Sequence, residues 1–330
     1  MGGKLEMAAI KYIDLFCGIG GFRHALDSVN TRCVFSSDID PDARLSYAQN
    51  WGEEPVGDIA QIEAQVIPEH DVLCGGFPCQ PFSISGNQAG FEDARGTLLH
   101  EILRIARYHQ PRVLFLENVK NFLGHAEGKT LRTTLRFLNR AGYHVHYSLL
   151  NASNYGVAQK RERVYFVAFR KDLGITTFRF PEPTNEDCAV EDILLPENDS
   201  RLDALVIERE DLHLKSERPT ERENRPIRIG TVGKGGQGER VYSPKGHAIT
   251  LSAFGGGIGA KTGMYLIDQR IRRLHPEECA RLMGFPEGFK LHTRPNVCYK
   301  QWGNSVAVPV VRAIFKSIER ALETQSLRAA

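Results

Sequence analysis

YIDLFCGIGGF, residues 12–22, decides the fold. Tyr12 to Phe16 is an apolar run interrupted only by Asp14, the length of a buried strand. Glycines at 18, 20 and 21 make a turn, and FRHALDSV (22–29) follows as an amphipathic helix. A strand, a Gly-x-Gly-Gly turn and a helix start predict one βα unit of a sheet covered by helices. The turn is not G-x-G-x-x-G, so a dinucleotide fingerprint is only partly met.

The alternation continues outward from this unit. CVFSSDI (33–39), DVLCGGF (71–77), RVLFLENV (112–119) and RVYFVAFR (163–170) read as strands. DARLSYAQNW (42–51), TLLHEILRIARYHQ (97–110) and TLRTTLRFLNRAGY (130–143) read as helices. The predicted class is α/β, a Rossmann-like, mostly parallel sheet with both faces covered. Ligands of such sheets sit at the carboxyl ends of the strands, and each polar cluster is expected at such an end.

After about residue 185 the character changes. Residues 230–263 hold eleven of the chain's thirty-one glycines, mixed with Lys, Arg, Ser, Thr and Gln. This reads as a second, smaller domain of short strands and loops. PEECARLMGF (276–285) and AVPVVRAIFKSIERALE (307–323) are helical again. The expected division is 1–190 plus 302–330 as catalytic and cofactor-binding domain, 191–274 as recognition domain and 275–301 as hinge.

The chain of 330 residues is 42% hydrophobic and 25% charged, an ordinary globular balance. No apolar run approaches the ~18 residues that span a bilayer. MGGKLEMAAIKYIDLF lacks a signal-peptide core, so a cytoplasmic protein with no membrane association is expected. Seven cysteines without a C-x-x-C pair fit reduced thiols and no metal. The net charge of +2 hides a segment, 211–273, with twelve Lys/Arg against six Asp/Glu; its net +6 leaves −4 on the rest. A localised surface for a polyanion is one reading, a solvated loop region the other.

Asp38 ends the second strand twenty residues after Gly18, where an acid meets a ribose diol. Asp58 is placed to accept a hydrogen bond from an adenine amino group. Alone, the glycine turn would be a plain strand–helix connection; the acid shifts the balance toward an adenosine-containing cofactor.

GGFPCQPFS (75–83) presents Cys79 between backbone made free by glycine and backbone fixed by proline. The thiol either reacts, binds metal or packs. If it reacts it needs help, since a free thiol is only a few per cent thiolate near neutral pH. The helpers in reach of the pattern are Glu117, at the end of LENV, and Arg161 and Arg163 in QKRERVYF. Taken one at a time, these are a loop-anchoring acid and a surface charge pair. A zinc deaminase is excluded because P-C-x-x-C and H-x-E are missing.

DLFCGIGGF, GGFPCQPFS, LENV, QKRERVYFVAF, RRLHPEECARLMGFP and QWGNSVAVPVV, in this order, resemble the signature blocks of the cytosine-5 DNA methyltransferase family over nearly the whole chain. IGTVGKGGQGERVYSPKGHAITLSAFGGGIGAKTG (229–263) resembles the target-recognition region of GCGC-specific members.

The resemblance implies S-adenosylmethionine as cofactor, with S-adenosylhomocysteine as product and no metal. Double-stranded DNA with a GCGC-type site is the implied partner, its target cytosine flipped out. It also implies a monomer in a restriction-modification setting, with a companion endonuclease as the functional partner. Cys79 would attack carbon 6 of the base and Glu117 would bond its ring nitrogen and amine. Arg163 would meet the cytosine oxygen, and Arg161 would support the pocket or a phosphate. Phe16, Gly18, Gly21, Asp38, Ile39, Asp58, Ile59, Pro78, Leu98 and Asn304 would hold the cofactor.

Residues 80–97 would form a lid. Gln80, Ser83, Ser85, Lys234, Gln237, Arg240, Thr250, Ser252, Gly255 and Gly257 would contact DNA. Among these, Ser85 and Gln237 would fill the vacated space and Arg240 would read guanine. Two departures from the GCGC-type pattern are Ile39, where tryptophan follows the ribose acid, and Phe254, where tyrosine is expected. An RNA methyltransferase, a catalytically dead DNA-binding protein and a nicotinamide oxidoreductase are the competing readings. The last gives Cys79, Glu117 and the arginines no joint role.

Overall fold

The computed structural model describes residues 9–28, 30–77 and 98–329. Strands β1 (Ile10–Leu15), β2 (Thr31–Ser37), β3 (Val72–Gly76), β4 (Val113–Val119), β5 (Tyr143–Asn151) and β6 (Glu162–Arg170) form one sheet in the order β2-β1-β3-β4-β6-β5. The first four are parallel, whereas β6 runs antiparallel to both β4 and β5. Helices α1 (Gly21–Leu26), α2 (Pro41–Trp51), α3 (Leu98–His109) and α4 (Lys129–Arg140) connect them.

Period-two alternation divides the strand side chains between two cores. Ile13, Leu15, Leu73, Leu114, Leu116, Val164 and Phe166 meet α3 and α4 on one face. Tyr12, Val72, Phe115, Tyr165 and Val167 meet α1 on the other, together with α5 (Pro276–Leu282), α6 (Pro295–Asn304) and α7 (Val308–Ala329). Near-continuous apolar strands of this kind are what a doubly covered sheet requires.

A second sheet, ordered β11-β10-β9-β8-β7, comprises β7 (Leu212–Leu214), β8 (Arg228–Val232), β9 (Arg240–Tyr242), β10 (Met264–Ile267) and β11 (Arg270–Arg272). Its own core is small: Ile227, Ile229, Val232, Val241, Met264 and Ile271. Tyr242, Ala248, Leu251, Tyr265 and Leu274 instead join the core of the first sheet. The second sheet is therefore packed onto the body rather than tethered to it.

Three expectations are revised. Arg161 and Arg163 lie at the start of a strand, not at its carboxyl end; because β6 is antiparallel, that start falls on the same rim as the ends of β1, β3 and β4. Edge strand β5 was missed because its half-exposed, His-rich pattern hides the alternation. The basic segment is partly neutralised. Arg222 pairs with Glu191 and Asp192, Arg225 with Glu223, Arg270 with Asp203, and Arg272 with Glu278. No helix among the described residues is long and apolar enough to cross a membrane.

Candidate active site

One cleft of about 460 Å³ opens along the carboxyl rim of the first sheet. Phe16, Gly18, Gly21, Asp38, Glu117, Arg161, Arg163 and Asn304 line it, so the glycine turn and the acid–arginine cluster share one space.

The turn is shaped by its glycines. Gly18 adopts φ +55 and has open space where a Cβ would stand. Gly20, at φ +83, would drive a Cβ into the Trp51 indole nitrogen at 2.3 Å. A side chain at Gly18 would fill the open space beside the backbone, whereas one at Gly20 would have to displace Trp51. Asp38 is held from two sides: Gly18 N–H donates to Oδ2 at 2.7 Å, and Asp40 N–H donates to Oδ1 at 2.8 Å. Burial nevertheless pushes its carboxyl above the usual range. Asp40 in turn accepts from Lys300 Nζ at 2.7 Å, tying the start of α2 to α6. Under the turn, Asp14 is fully buried with both oxygens unpartnered, and burial drives its carboxyl well up toward the neutral form.

An adenosine-bearing amino acid fits this cradle. Asp38 is an acceptor for a diol, and the open Gly18 turn admits a chain close to the backbone. The Ser305 hydroxyl, buried on the cleft wall with no partner, is a polar group waiting for one. Ser305 was not among the expected residues, although it directly follows Asn304 in QWGNS.

At the other end of the cleft the carboxylate is built by register. Gly76 on β3 pairs with Glu117 on β4, and a Cβ on Gly76 would come within 3.3 Å of Glu117 Oε2. The glycine thus lets the carboxylate lie against the strand that leads to Cys79 three residues on. Asn118 Nδ2 donates to Phe77 O at 2.6 Å, fixing the last described residue before that segment. Glu117 is 8% exposed and paired with Arg163 Nε at 3.1 Å. Burial pushes its carboxyl up; Arg163, then Arg161, pull it down, and burial wins. Arg161, 2% exposed, does not touch Glu117. It donates to Leu251 O at 3.3 Å, to Gly303 O at 3.0 Å and to Ser305 O. Burial raises the Cys17 and Cys74 thiols well above their ordinary value, leaving them as inert packing groups.

Other expected residues lie elsewhere. Ile39 is 69% exposed and outside the cleft lining. The Asp58 carboxylate caps the turn at Ala60, accepting its N–H at 3.0 Å. Ile59 is buried in the core beneath, and Leu98 packs partly buried against that core at the start of α3. Gln237, Arg240 and Thr250 line a neighbouring crevice with Lys120, Lys160 and Arg163. The Thr250 hydroxyl is already engaged, donating to Lys160 O at 2.6 Å. Lys234 and Ser252 are exposed. Gly257, at φ +88, and Gly255 serve close backbone packing against Gly238 and Lys261 respectively. Phe254, 82% exposed, stands at the cleft mouth. Pro78, Cys79, Gln80, Ser83, Ser85 and the rest of the lid lie outside the described residues. No cluster of three or more His, Cys, Asp or Glu among the described residues is placed to hold a metal.

Comparison with known proteins gives the same direction. The C-5 cytosine-specific DNA methylase family matches residues 10–320. Type II methyltransferase M.HhaI of Haemophilus parahaemolyticus is 50% identical over 317 residues, 96% of each chain. Type II methyltransferase M.HpaII of Haemophilus parainfluenzae is 39% identical over 330 residues, covering 93% of this chain and 88% of its own. The crystal structure of S. pombe Dnmt2 methyltransferase superposes with a TM-score of 0.71 at 21% identity, covering 96% of this chain and 99% of that one, a likeness of fold.

Proposed function

The chain belongs to the C-5 cytosine-specific DNA methylase family, and from that premise we propose that it flips and methylates the inner cytosine of GCGC in duplex DNA. The enzyme class itself, a type II DNA cytosine-5 methyltransferase of an S-adenosylmethionine-dependent family, follows from the family match and the 50% identity. The site assignment rests on one observation above all: a buried carboxyl, raised toward its neutral form, shares a cleft with the cofactor-type turn and sits in register with the strand leading to Cys79.

The roles are those the family resemblance implies, and the geometry of the described residues supports them. Cys79, as thiolate, adds to carbon 6 of the extruded base. Glu117, whose carboxyl burial pushes up, offers a proton to the ring nitrogen as the ring accepts the electron pair, which makes carbon 5 nucleophilic. Arg163 holds Glu117 in place and presents its remaining donors to the cytosine oxygen. Asp38, the Gly18 turn, Asn304 and Ser305 hold the cofactor. S-adenosylmethionine, when bound there, supplies an electrophilic methyl group. Removal of the carbon 5 proton by a base then expels the thiolate, returns the ring-nitrogen proton to Glu117 and restores aromaticity. Flipping costs a few kcal/mol, offset by contacts to the rest of the duplex.

Recognition is assigned to 191–274, hinged through 275–301 on a body of 1–190 plus 302–330. Gln237 with Ser85 would enter the duplex, and Arg240 would read guanine. The likeness of 229–263 to GCGC-specific recognition regions supports that target. The chain would act as a cytoplasmic monomer beside a companion endonuclease.

Incubating an unmodified plasmid with enzyme and S-adenosylmethionine, then bisulfite sequencing, tests this. Protection of the inner cytosine of GCGC is expected. Protection centred on another tetranucleotide rejects the target, and transfer to tRNA but not to duplex DNA rejects the substrate.

A further inference from the structure

Arg161 is separated from its neighbour Arg163 by what it touches. Arg163 reaches the acid at the reacting end of the cleft. Arg161 spends its two terminal nitrogens on three backbone carbonyls drawn from two other parts of the molecule: Leu251, in the recognition segment, and Gly303 and Ser305, in the wall beside the cofactor cradle.

The segments it joins are already in close contact. Gln159 bridges Ala248 in parallel; Lys160 N donates to Ala248 O at 2.9 Å, and Leu251 N donates to Gln159 Oε1 at 3.1 Å. Gly303 lies so close to the recognition segment that a Cβ there would stand 2.2 Å from Ala253 N and 2.5 Å from the Ser252 carbonyl carbon. Asn304 and Ser305 follow directly in the cleft wall, while Thr250, one residue before Leu251, lines the neighbouring crevice with Gln237 and Arg240. A displacement of 303–305 of a few tenths of an ångström must therefore be passed to 251–254 or break this joint, since packed backbone has no slack to absorb it.

We propose that Arg161 is a positioning residue that makes cofactor binding and DNA binding thermodynamically coupled, by clasping the cofactor wall at 303–305 to the recognition segment at 251–253. Its terminal nitrogens are taken up by backbone carbonyls rather than by the acid at the reacting end. By linkage, S-adenosylhomocysteine tightens DNA binding by the factor by which DNA tightens S-adenosylhomocysteine binding. The inference rests on the DNA methyltransferase reading but not on the target sequence.

The test is a coupling ratio: the Kd of wild type for a GCGC-bearing duplex without, divided by that with, saturating S-adenosylhomocysteine. The same ratio is taken for Arg161→Met, which keeps stem length without donors, and Arg161→Lys, which restores one charged donor. Wild type should show a ratio in the range of about 5 to 150. Arg161→Met should bring it close to 1, and Arg161→Lys should fall between. A wild-type ratio of 1 overturns the clasp, as does a folded Arg161→Met that keeps the wild-type ratio. Should Arg161→Met fail to fold, the Lys variant decides alone: an unchanged ratio overturns the clasp, and a reduced one supports it. Absence of wild-type binding to GCGC duplex, with the ratio preserved on a plasmid digest, would reject the target and leave the clasp standing.

Discussion

The rim of the first sheet and the face of the second hold the side chains proposed for chemistry and for recognition by opposite means. At the rim, Glu117 is buried and Asp38 half-buried, and each is fixed by register, backbone donors or a guanidinium. On the recognition face, Lys234, Gln237 and Ser252 are exposed, on backbone rich in glycine and with a core of few residues. The difference teaches where each kind of work can be done. Proton and electron movement needs low dielectric and groups that do not reorganise. Reading a duplex needs reach, solvent-exposed donors and a backbone that comes close. A polar group is costly to bury and easy to leave outside, so chemistry demands the deep core and recognition does not.

The comparison is broken first at the reacting end. Cys79→Ser should lower kcat by at least about 10⁴-fold, as loss of a nucleophile does elsewhere, while DNA binding persists. DNA carrying 5-fluorocytosine at the target should become covalently linked to the wild-type protein and not to this variant. Wild-type turnover by the serine variant would remove covalent catalysis from the account.

Glu117→Gln comes next, with kcat down roughly 10²- to 10⁴-fold. Because burial raises this carboxyl, its neutral form persists to higher pH than that of a free glutamate, and the rate should fall as pH rises through the raised value. The glutamine variant should lose that dependence in a pH–kcat profile. Stability follows the same sign: with the folded value above the unfolded one, this group's contribution is present below the unfolded pKa and is lost as pH climbs through the folded one.

The seam between the two regions is probed by Glu278→Ala. Glu278 is fully buried, pairs with Arg272 at 2.7 Å and accepts Leu195 N–H at 2.9 Å and His275 N–H at 2.7 Å. Stranding the Arg272 charge should cost about 3–5 kcal/mol in urea unfolding. A loss under 1 kcal/mol would mean that the seam relaxes around the charge. On the recognition face, Arg240→Ala should cost about 1–3 kcal/mol of discrimination between GCGC and a guanine-substituted site, read by competitive binding. Smallest is a gain: Ile39→Trp should tighten S-adenosylhomocysteine by about 0.5–1.5 kcal/mol in calorimetry, since an exposed side chain beside Asp38, the acid proposed to meet the ribose, would be replaced by a stacking ring. An unchanged affinity would show that the adenine lies away from residue 39.

Much of this was legible because rigid chemistry leaves local marks. The Gly18–Gly21 turn, the strand end at Asp38 and the LENV block are each readable within a few residues, because turn conformation and strand ends depend on adjacent residues. β5 and α6 were not legible: one alternates on a half-exposed edge, and the other mixes polar residues bound to distant backbone, as Gln301 is to Asp42 O at 2.9 Å. Neither pattern carries a clean period.

The sequence by itself determined the α/β class and the family, and it nominated the groups proposed for the chemistry, since those depend on residue type and short spacing. Only the tertiary structure decided that β6 runs antiparallel and so delivers its arginines to the rim from a strand's start. It alone decided that Ser305 is an orphaned hydroxyl in the cleft, and that Arg161 and Arg163, two residues apart, face different partners. Such facts are set by which distant backbone groups happen to come within about 3 Å, and spacing along the chain carries no information about them.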